Sequence, residues 1–299
     1  MVNVLYLAFG NNPNIYSQVY FSMTTVRLYH PETPIHIVTD APQYFKRVVD
    51  QPNFFIHHFP SKTIQDWMNT GQKKFGFRTK QKAIEWMVTH FPDQPVLYLD
   101  SDTFIYQPLT SVFDILERGE KAVMHKFENL LSKPINKTQR LVWKSIGQKT
   151  FASVFISEQH AMWNAGVLGI PIRKNQEAIK TATDLSDELA NHLKRKTFAE
   201  QMSFSIVLSD LYGLSESTDS IAHYWGNKEE WEVAIQKFYT MVHFQQLTFE
   251  KELEAVKAFD FSSIPLYKAQ RNTRNKLVKL AHKLFKDKNV EYLPIIHKN

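Results

Sequence analysis

The sequence predicts an α/β fold in which helices flank a mostly parallel mixed sheet, and three observations lead to this prediction. In the first third of the chain, short apolar runs alternate with longer segments of helical periodicity. Turn-forming residues such as Gly10 and Pro31 separate these segments. The chain has 299 residues, of which 43% are hydrophobic, so it is long enough to cover both faces of such a sheet.

The predicted elements follow one another in strand–helix order. We expect strands over residues 2–9, 34–38, 54–58 and 94–99, with helices over 16–29 and 78–90 between them. Further along, residues 162–172 are predicted to form a strand interrupted by glycines, and residues 203–211 a helix. The long polar segment 126–158 is predicted to form two surface helices, with a lid over the site as the alternative.

Composition excludes several classes of protein. The chain has no cysteine, which rules out disulfides, thiolate catalysis and thiolate zinc sites. No apolar run reaches the length of a membrane helix, and the N-terminus lacks the basic region of a signal peptide. The net charge of +6 is too small to indicate a nucleic-acid partner. We therefore expect a cytoplasmic protein that does not bind nucleic acid.

The segment LYLDSDTFIY, residues 97–106, places Asp100 and Asp102 one residue apart where a predicted strand ends. Two neighbouring carboxylates repel each other, and a shared divalent cation offsets that cost. The carboxyl ends of parallel strands form the edge at which α/β sheets bind ligands. The pair therefore predicts a cation site, with a turn or a helix cap as the alternative.

His223 is the predicted third ligand of this cation. It follows an apolar pair and opens a loop that contains Gly226. The alternative is an ordinary surface or hydrogen-bonded core histidine. An imidazole beside two carboxylates suits Mn²⁺ better than Mg²⁺ or Ca²⁺, so we expect Mn²⁺ or, failing that, Mg²⁺.

Four segments in this order resemble the signature motifs of GT-A-fold glycosyltransferases: PVLYLDSDTFIYQPLTSVFD (95–114), WNAGVLGI (163–170), EQMSFS (200–205) and HYWGNK (223–228). YHPETPIHIVTD (29–40) is similar to the second-strand region of the retaining family 8 enzymes, which include bacterial lipopolysaccharide galactosyl- and glucosyltransferases and glycogenin. The resemblance covers residues 2–231. It implies a GT-A catalytic domain over residues 1–250, followed by a basic, helical C-terminal extension over residues 251–299.

The resemblance implies a role for each matched position. Asp100, Asp102 and His223 would bind the metal, and Asp100 and Ser101 would also lie close to the ribose. The other positions implied to bind the nucleotide sugar are Ala8, Phe9, Gly10, Asn12, Arg78, Gly166, Gly226 and Lys228. The positions implied to be catalytic, beside the transferred sugar, are Asn164, Glu200 and Gln201.

The chain departs from the family pattern at three places. Gly10 and the asparagines after it stand where the family carries an Asp in the first-strand loop. Glu200 replaces the family's Asp and extends its carboxylate by one methylene. Lys228 comes earlier than the lysine of the family's Lys-Pro-Trp motif. These departures make the nucleobase contact and the phosphate contact the least conventional parts of the predicted site.

The resemblance implies a metal-dependent hexosyltransferase that moves a sugar from a uridine diphosphate sugar to a hydroxyl acceptor with retention. The resemblance to this family also implies a glycan or lipid-linked acceptor, as in lipopolysaccharide biosynthesis. An inverting reaction with Glu200 as the base stays open. A sugar-1-phosphate nucleotidyltransferase is disfavoured because Gly10 stands alone in its loop. The alternative from another class is a catalytically silent nucleotide- or glycan-binding protein on the same fold.

The C-terminal segment is predicted to form an amphipathic helix. Its apolar positions share one stripe and comprise Leu277, Leu280, Ala281, Leu284 and Phe285. The adjoining face carries lysines at positions 276, 279, 283 and 286. An apolar stripe beside a lysine face is typical of helices that lie on anionic membranes, so we expect peripheral contact at the inner face of the membrane. Packing of the stripe on the catalytic domain is the alternative.

Overall fold

A computed structural model describes residues 1–69, 74–194 and 196–268, together with positions 277, 280, 281, 284 and 285. The strands of the described chain are β1 (Asn3–Ala8), β2 (Ile35–Thr39), β3 (Phe54–His58), β4 (Val96–Leu99), β5 (Thr103–Ile105), β6 (Ala122–Leu130), β7 (Thr150–Phe151), β8 (Val154–Phe155), β9 (Ala161–Ile170), β10 (Leu214–Glu216) and β11 (Ile221–His223). Its α-helices are α1 (Pro13–Tyr29), α2 (Ser61–Trp67), α3 (Arg78–His90), α4 (Thr110–Arg118), α5 (Lys137–Ile146), α6 (Asn175–His192), α7 (Ala199–Tyr212), α8 (Lys228–Phe244) and α9 (Phe249–Lys257).

The central sheet has seven strands in the order β10-β6-β9-β4-β1-β2-β3. Strand β9 runs antiparallel to both of its neighbours, whereas the other six strands run in one direction. The predicted mostly parallel mixed sheet, flanked by helices, is therefore confirmed. This topology brings the carboxyl ends of β1, β2 and β4 to one edge, where the predicted site residues lie.

Helices α1 and α7 both begin earlier in the chain than the sequence predicted. Helix α1 begins at Pro13, three residues before the prediction, because the Asn12 side chain accepts a hydrogen bond from the Asn14 N–H at 3.1 Å and caps the helix. Helix α7 begins at Ala199, so Glu200 and Gln201 lie in its first turn. The bounds of β3 and α3 agree with the prediction.

Alternating side chains bury both faces of the sheet. From β1, Leu5 and Leu7 join the core that contains α3, α6 and α7, whereas Val4 and Tyr6 join the core beneath α1. A third cluster, rich in aromatic rings, packs around Trp231 where α1, α8 and α9 meet. The two faces of the sheet are thus covered by different sets of helices, as parallel sheets require.

One predicted segment differs from the observed structure, and a second lies partly outside the described residues. The prediction of two surface helices over residues 126–158 is wrong, because β6 continues to Leu130 by pairing with β9 through bulges, and only α5 and the β7–β8 hairpin follow. The lysine face of the predicted C-terminal helix lies outside the described residues. Among the apolar positions of that helix, Leu277, Leu280, Leu284 and Phe285 are exposed.

Helix α9 packs against the body of the chain rather than standing apart from it. Its Phe249 ring contacts Phe54 edge-on, and its buried Glu252 accepts a hydrogen bond from Arg47 at 2.9 Å. The division of the chain near residue 250 stays a prediction. None of the helices in the described part of the chain is long and apolar enough to cross a membrane.

Candidate active site

The turn that joins β4 to β5 carries the acidic pair. The Asp100 N–H donates to the Gly166 carbonyl at 2.9 Å, and the Thr103 hydroxyl donates back to the Asp100 carbonyl at 2.8 Å. Asp102 is buried, whereas Asp100 is partly exposed. Hydrogen bonds to the backbone of Asp100 therefore fix the turn that carries both carboxylates at the edge of the sheet.

Strand β11 brings His223 to this turn by pairing antiparallel with β5, with His223 opposite Thr103. The Tyr224 N–H extends the pairing by donating to the Asp102 carbonyl at 3.0 Å. Ligand atoms of Asp100, Asp102 and His223 lie within 4.8 Å of one another. Two carboxylates and one imidazole that converge in this way can hold a divalent metal ion.

The His223 ring is held in place from two sides. Its Nδ1 lies 2.9 Å from Asn164 Oδ1, and its Nε2 lies 3.3 Å from Asp102 Oδ2. The ring also lies so close to Gly166 of β9 that an added Cβ would overlap it. Asn164 and Gly166, predicted as a catalytic and a donor-binding residue, thus both contact the histidine. A hydrogen-bonded second nitrogen is typical of histidines that bind metals.

Lys80 is a residue of this site that sequence reasoning missed. Its ammonium is buried and lies 3.2 Å from Asp100 Oδ1, 3.0 Å from Glu200 Oε1 and 2.9 Å from the Ala165 carbonyl. Burial disfavours its charged form, yet the two carboxylates outweigh burial and raise the pKa of Lys80 above its ordinary value. Lys80 therefore stays charged and balances two acidic groups of the site.

Arg78, for which the resemblance implied a contact with the nucleotide sugar, lies two residues before Lys80 on α3 and has different partners. Its guanidinium binds Asp187 on α6 at 2.9 Å and the Trp67 carbonyl at 3.1 Å. Residues two apart on a helix do not share a face, so Arg78 and Lys80 point to different partners. The signal for Lys80 was present, because it shares a buried stripe of α3 with Ile84 and Met87.

Lys228 supplies the second cation of the site. It is the first residue of α8, and its ammonium lies 2.8 Å from Asp102 Oδ2 with about half of the side chain exposed. Burial by itself would raise the pKa of Asp102, but His223 and Lys228 together hold that pKa well below its usual value. Lys228 therefore contacts the acidic centre, although it comes earlier in the sequence than the lysine of the family motif.

Two of the three predicted catalytic residues, Asn164 and Gln201, meet at a carboxylate that the sequence analysis did not single out. Gln201 Nε2 donates to Glu128 Oε2 at 3.2 Å, and Glu128 lies near the end of β6. Glu128 is exposed, and partial desolvation by its neighbours raises its pKa, whereas hydrogen bonds from Asn164 and Gln201 partly offset the shift. Glu200 faces the other way, buried against Lys80. Glu128 was missed because its segment was interpreted as the start of a surface region.

The predicted nucleotide loop lies at the ends of β1 and β2, where Ala8 pairs with Thr39 and Phe9 follows. The Gly10 N–H donates to Asp40 Oδ2 at 3.2 Å. Asn12 caps α1, and the Ser101 hydroxyl donates to Gln18 on that helix at 3.3 Å. Asp40 was not predicted as a site residue. It places a carboxylate beside the loop that lacks the family's Asp.

The fold is similar to that of LgtC, a galactosyltransferase. The crystal structure of LgtC in complex with donor and acceptor sugar analogues matches 92% of this chain and 99% of that chain, at 15% identity and a TM-score of 0.50. An active-site mutant of LgtC matches 72% of each chain at 16% identity and a TM-score of 0.44. The chain matches no protein-family model and no curated protein. The predicted GT-A fold is confirmed by the likeness to the first of these structures.

Proposed function

We propose that this chain is a metal-dependent glycosyltransferase that moves a sugar from a nucleoside diphosphate to a hydroxyl group of an acceptor. The observation that carries the proposal is the convergence of Asp100, Asp102 and His223 at the edge of a GT-A sheet, with Lys80 and Lys228 in contact with the two carboxylates. The related fold of a galactosyltransferase that was crystallised with donor and acceptor sugar analogues supports it.

The acidic centre suits the departing diphosphate. Asp100, Asp102 and His223 would hold Mn²⁺ or Mg²⁺, which when bound supplies Lewis-acid stabilisation of negative charge on phosphate oxygens. The Lys228 side chain is half-exposed, and its ammonium contacts the Asp102 carboxylate, where it would add a positive charge for the diphosphate. Lys80 is buried behind the centre, so we assign it to charge balance rather than to contact with the substrate.

The other side of the centre suits the reacting carbon of the sugar. Cleavage of the glycosidic bond to phosphate gives the sugar an oxocarbenium-like character, which nearby carboxylate and amide oxygens stabilise. Glu128 and Gln201, joined by a hydrogen bond, supply such oxygens, and Asn164 lies beside them. With retention, the acceptor hydroxyl bonds to the anomeric carbon on the face that the diphosphate leaves, and its proton passes to a phosphate oxygen. Glu200 is paired with Lys80, which disfavours its use as the base of an inverting reaction.

We assign the donor nucleotide to uridine diphosphate, with Asp40 as the carboxylate that recognises the base. Asp40 contacts Gly10 in the predicted nucleotide loop and lies at the carboxyl end of β2, beside the end of β1. A carboxylate in this position can accept a hydrogen bond from the imide N–H of uracil. Asp40 would thereby replace the Asp that the first-strand loop lacks.

Hydrolysis of nucleotide sugars without an acceptor tests the enzymatic part of the proposal. Purified protein is incubated with uridine, guanosine and thymidine diphosphate sugars, and release of the nucleoside diphosphate is measured with Mn²⁺, with Mg²⁺ and with a chelator. We expect slow release from a uridine diphosphate sugar that requires the metal. Nucleotide-sugar binding without release or transfer would favour the silent binding protein instead.

We also propose that the C-terminal segment contacts an anionic membrane surface, which would bring the site to a lipid-linked acceptor such as those of lipopolysaccharide biosynthesis. Leu284 and Phe285 are 67% and 81% exposed, so their apolar side chains are available to lipid. Sedimentation with anionic and with neutral liposomes compares the full chain with a chain that ends at Lys268. Equal binding by both chains would leave no role for the segment at the membrane.

A further inference from the structure

Two large aromatic rings lie exposed at the rim of the candidate active site. Trp225 is 52% exposed and Tyr267 is 58% exposed, and their ring centroids are 5.3 Å apart with an angle of 52° between the planes. By contrast, Tyr224 in the same loop and Trp231 in the first turn of α8 are buried. Single exposed rings such as Phe244 are common on protein surfaces, whereas Trp225 and Tyr267 contact each other and together form one apolar patch.

The position of Trp225 in the chain places it beside the acidic centre. Ala222 and Tyr224 pack in the aromatic cluster around Trp231, whereas His223 between them faces Asp102. Trp225 lies in the turn that follows β11, where the Asn227 N–H donates to the Tyr224 carbonyl at 2.9 Å. Trp225 is therefore two residues from His223 and three from Lys228, and the side chains of both of these residues contact Asp102.

Tyr267 is held against this loop by specific contacts. Gly226 forms a backbone bridge with Tyr267, and the tyrosine ring lies so close to Gly226 that an added Cβ would overlap it. The Pro265 carbonyl, two residues earlier, accepts hydrogen bonds from Asn227 Nδ2 at 2.7 Å and from Trp231 Nε1 at 3.2 Å. The loop and the segment 265–268 thus form one built surface rather than a chance approach of two side chains.

The surface combines apolar rings with charged hydrogen-bonding groups. Glu230 and Lys268 form an ion pair at its edge, and both side chains are partly exposed. A sugar ring presents one apolar face of C–H groups and a rim of hydroxyl groups, which matches this combination. The donor sugar belongs between the metal ligands and Gln201, so a sugar ring on the rim belongs to the acceptor.

We propose that Trp225 and Tyr267 form a platform on which a sugar ring of the acceptor stacks, with Glu230 and Lys268 facing its hydroxyl groups. This inference rests on the proposed transferase function. It specifies that the part of the acceptor that contacts the protein is a carbohydrate. A lipid carried by that carbohydrate would extend away from the platform.

The experiment measures two activities on the same proteins. Donor hydrolysis without acceptor reports on the acidic centre, and binding to an array of immobilised glycans in the presence of uridine diphosphate and Mn²⁺ reports on the platform. We expect Trp225→Ala and Tyr267→Ala to weaken glycan binding by about tenfold each while donor hydrolysis is unchanged. Trp225→Phe should retain most of the binding, because it keeps an aromatic face.

Phe244→Ala is the matched control, because Phe244 is an exposed aromatic residue at the far end of α8, about 25 Å along the helix from Lys228. Equal glycan binding by the wild type and both alanine variants, or no glycan binding by the wild type, would overturn the platform. A raised donor KM in Trp225→Ala would also overturn it, by assigning the ring to the donor. Absence of donor hydrolysis in the wild type contradicts the proposed transferase instead, so the two failures are distinguishable.

Discussion

Two carboxylate sites lie at the same edge of the sheet, and they differ in the partners that surround them. At the end of β4, each carboxylate contacts a cation: Asp100 contacts Lys80 at 3.2 Å, and Asp102 contacts Lys228 at 2.8 Å. At the end of β2, the Asp40 carboxylate accepts hydrogen bonds from neutral groups only, among the contacts of the described residues. The same architecture therefore presents one charge-compensated centre and one carboxylate whose hydrogen-bond partners, within the described residues, are neutral.

The neutral partners of Asp40 come from three separate elements. They are the Gly10 N–H at 3.2 Å, the Tyr16 hydroxyl at 2.7 Å and the Ser61 hydroxyl at 2.9 Å. Neutral donors orient a carboxylate without cancelling its charge, whereas ammonium groups cancel it. The first site is thus suited to a metal and a diphosphate, and the second to a ligand that donates hydrogen bonds. Substitutions at the first site should therefore lower turnover, whereas a substitution at the second site should lower the affinity for the donor.

The largest expected effect is that of Asp102→Asn. The amide keeps the shape of the side chain but removes the negative charge that would hold the metal, so metal-dependent donor hydrolysis should fall by more than about a hundredfold. Calorimetry with uridine diphosphate should show that Mn²⁺ no longer strengthens nucleotide binding. Unchanged turnover and unchanged nucleotide affinity would remove Asp102 from the metal site. An unchanged circular dichroism spectrum checks that the variant folds.

Lys80→Ala should produce the next largest effect, measured as the free energy of unfolding in urea. Its loss leaves Asp100 and the buried Glu200 without their shared cation, and breaking a buried ion pair costs about 3–5 kcal/mol. Arg78→Ala is the matched control on the same helix. Arg78 pairs with Asp187, which is more exposed than Glu200, so its loss should cost about 1 kcal/mol. Equal costs would mean that charge compensation at the acidic centre is unimportant for stability.

The acidic centre was predictable because part of its signal is local. Asp100 and Asp102 are adjacent to a strand end, and parallel topology then fixes their edge of the sheet. Lys80 and Asp100 are 20 residues apart, and only the periodicity of α3 marks Lys80 as buried. Arg78, two residues before Lys80, lies on a different face of the same helix and pairs with Asp187. Spacing alone therefore identified the carboxylates but not their cation.

The other differences between sequence and structure also involve contacts distant in the chain. Asp40 and Gly10 are 30 residues apart, and they meet because β1 and β2 end side by side. Glu128 joins the site because β6 continues along β9 past two bulges, which no local pattern of residues 126–158 indicates. Strand β3 and helix α3, by contrast, carry complete local signals and were predicted with their observed bounds.

Gln201→Ala and Glu128→Gln should lower kcat by about tenfold to a hundredfold and leave the KM of the donor unchanged. We place both groups beside the reacting carbon, and loss of an interaction made chiefly in the transition state lowers kcat. Glu200→Gln should also lower kcat, with a loss of stability because it breaks the pair with Lys80. Glu177→Gln, an exposed carboxylate on α6, is the control. Normal turnover in both Gln201→Ala and Glu128→Gln would place the reacting carbon elsewhere.

The smallest expected effect is that of Asp40→Asn, which should raise the KM of the donor by about tenfold while kcat stays unchanged. The amide keeps the size of the side chain but replaces one acceptor oxygen with a donor, which opposes the imide N–H of uracil. Stabilisation by uridine diphosphate should fall in the same variant, because a ligand that binds only the folded state raises the melting temperature according to its affinity.

The exposed Asp50→Asn serves as the control. An unchanged donor KM would limit Asp40 to shaping the loop at Gly10, and stabilisation of the wild type by guanosine diphosphate alone would refute uridine as the base. If kcat falls instead of affinity, the division between a charge-compensated centre and a base-binding carboxylate is wrong.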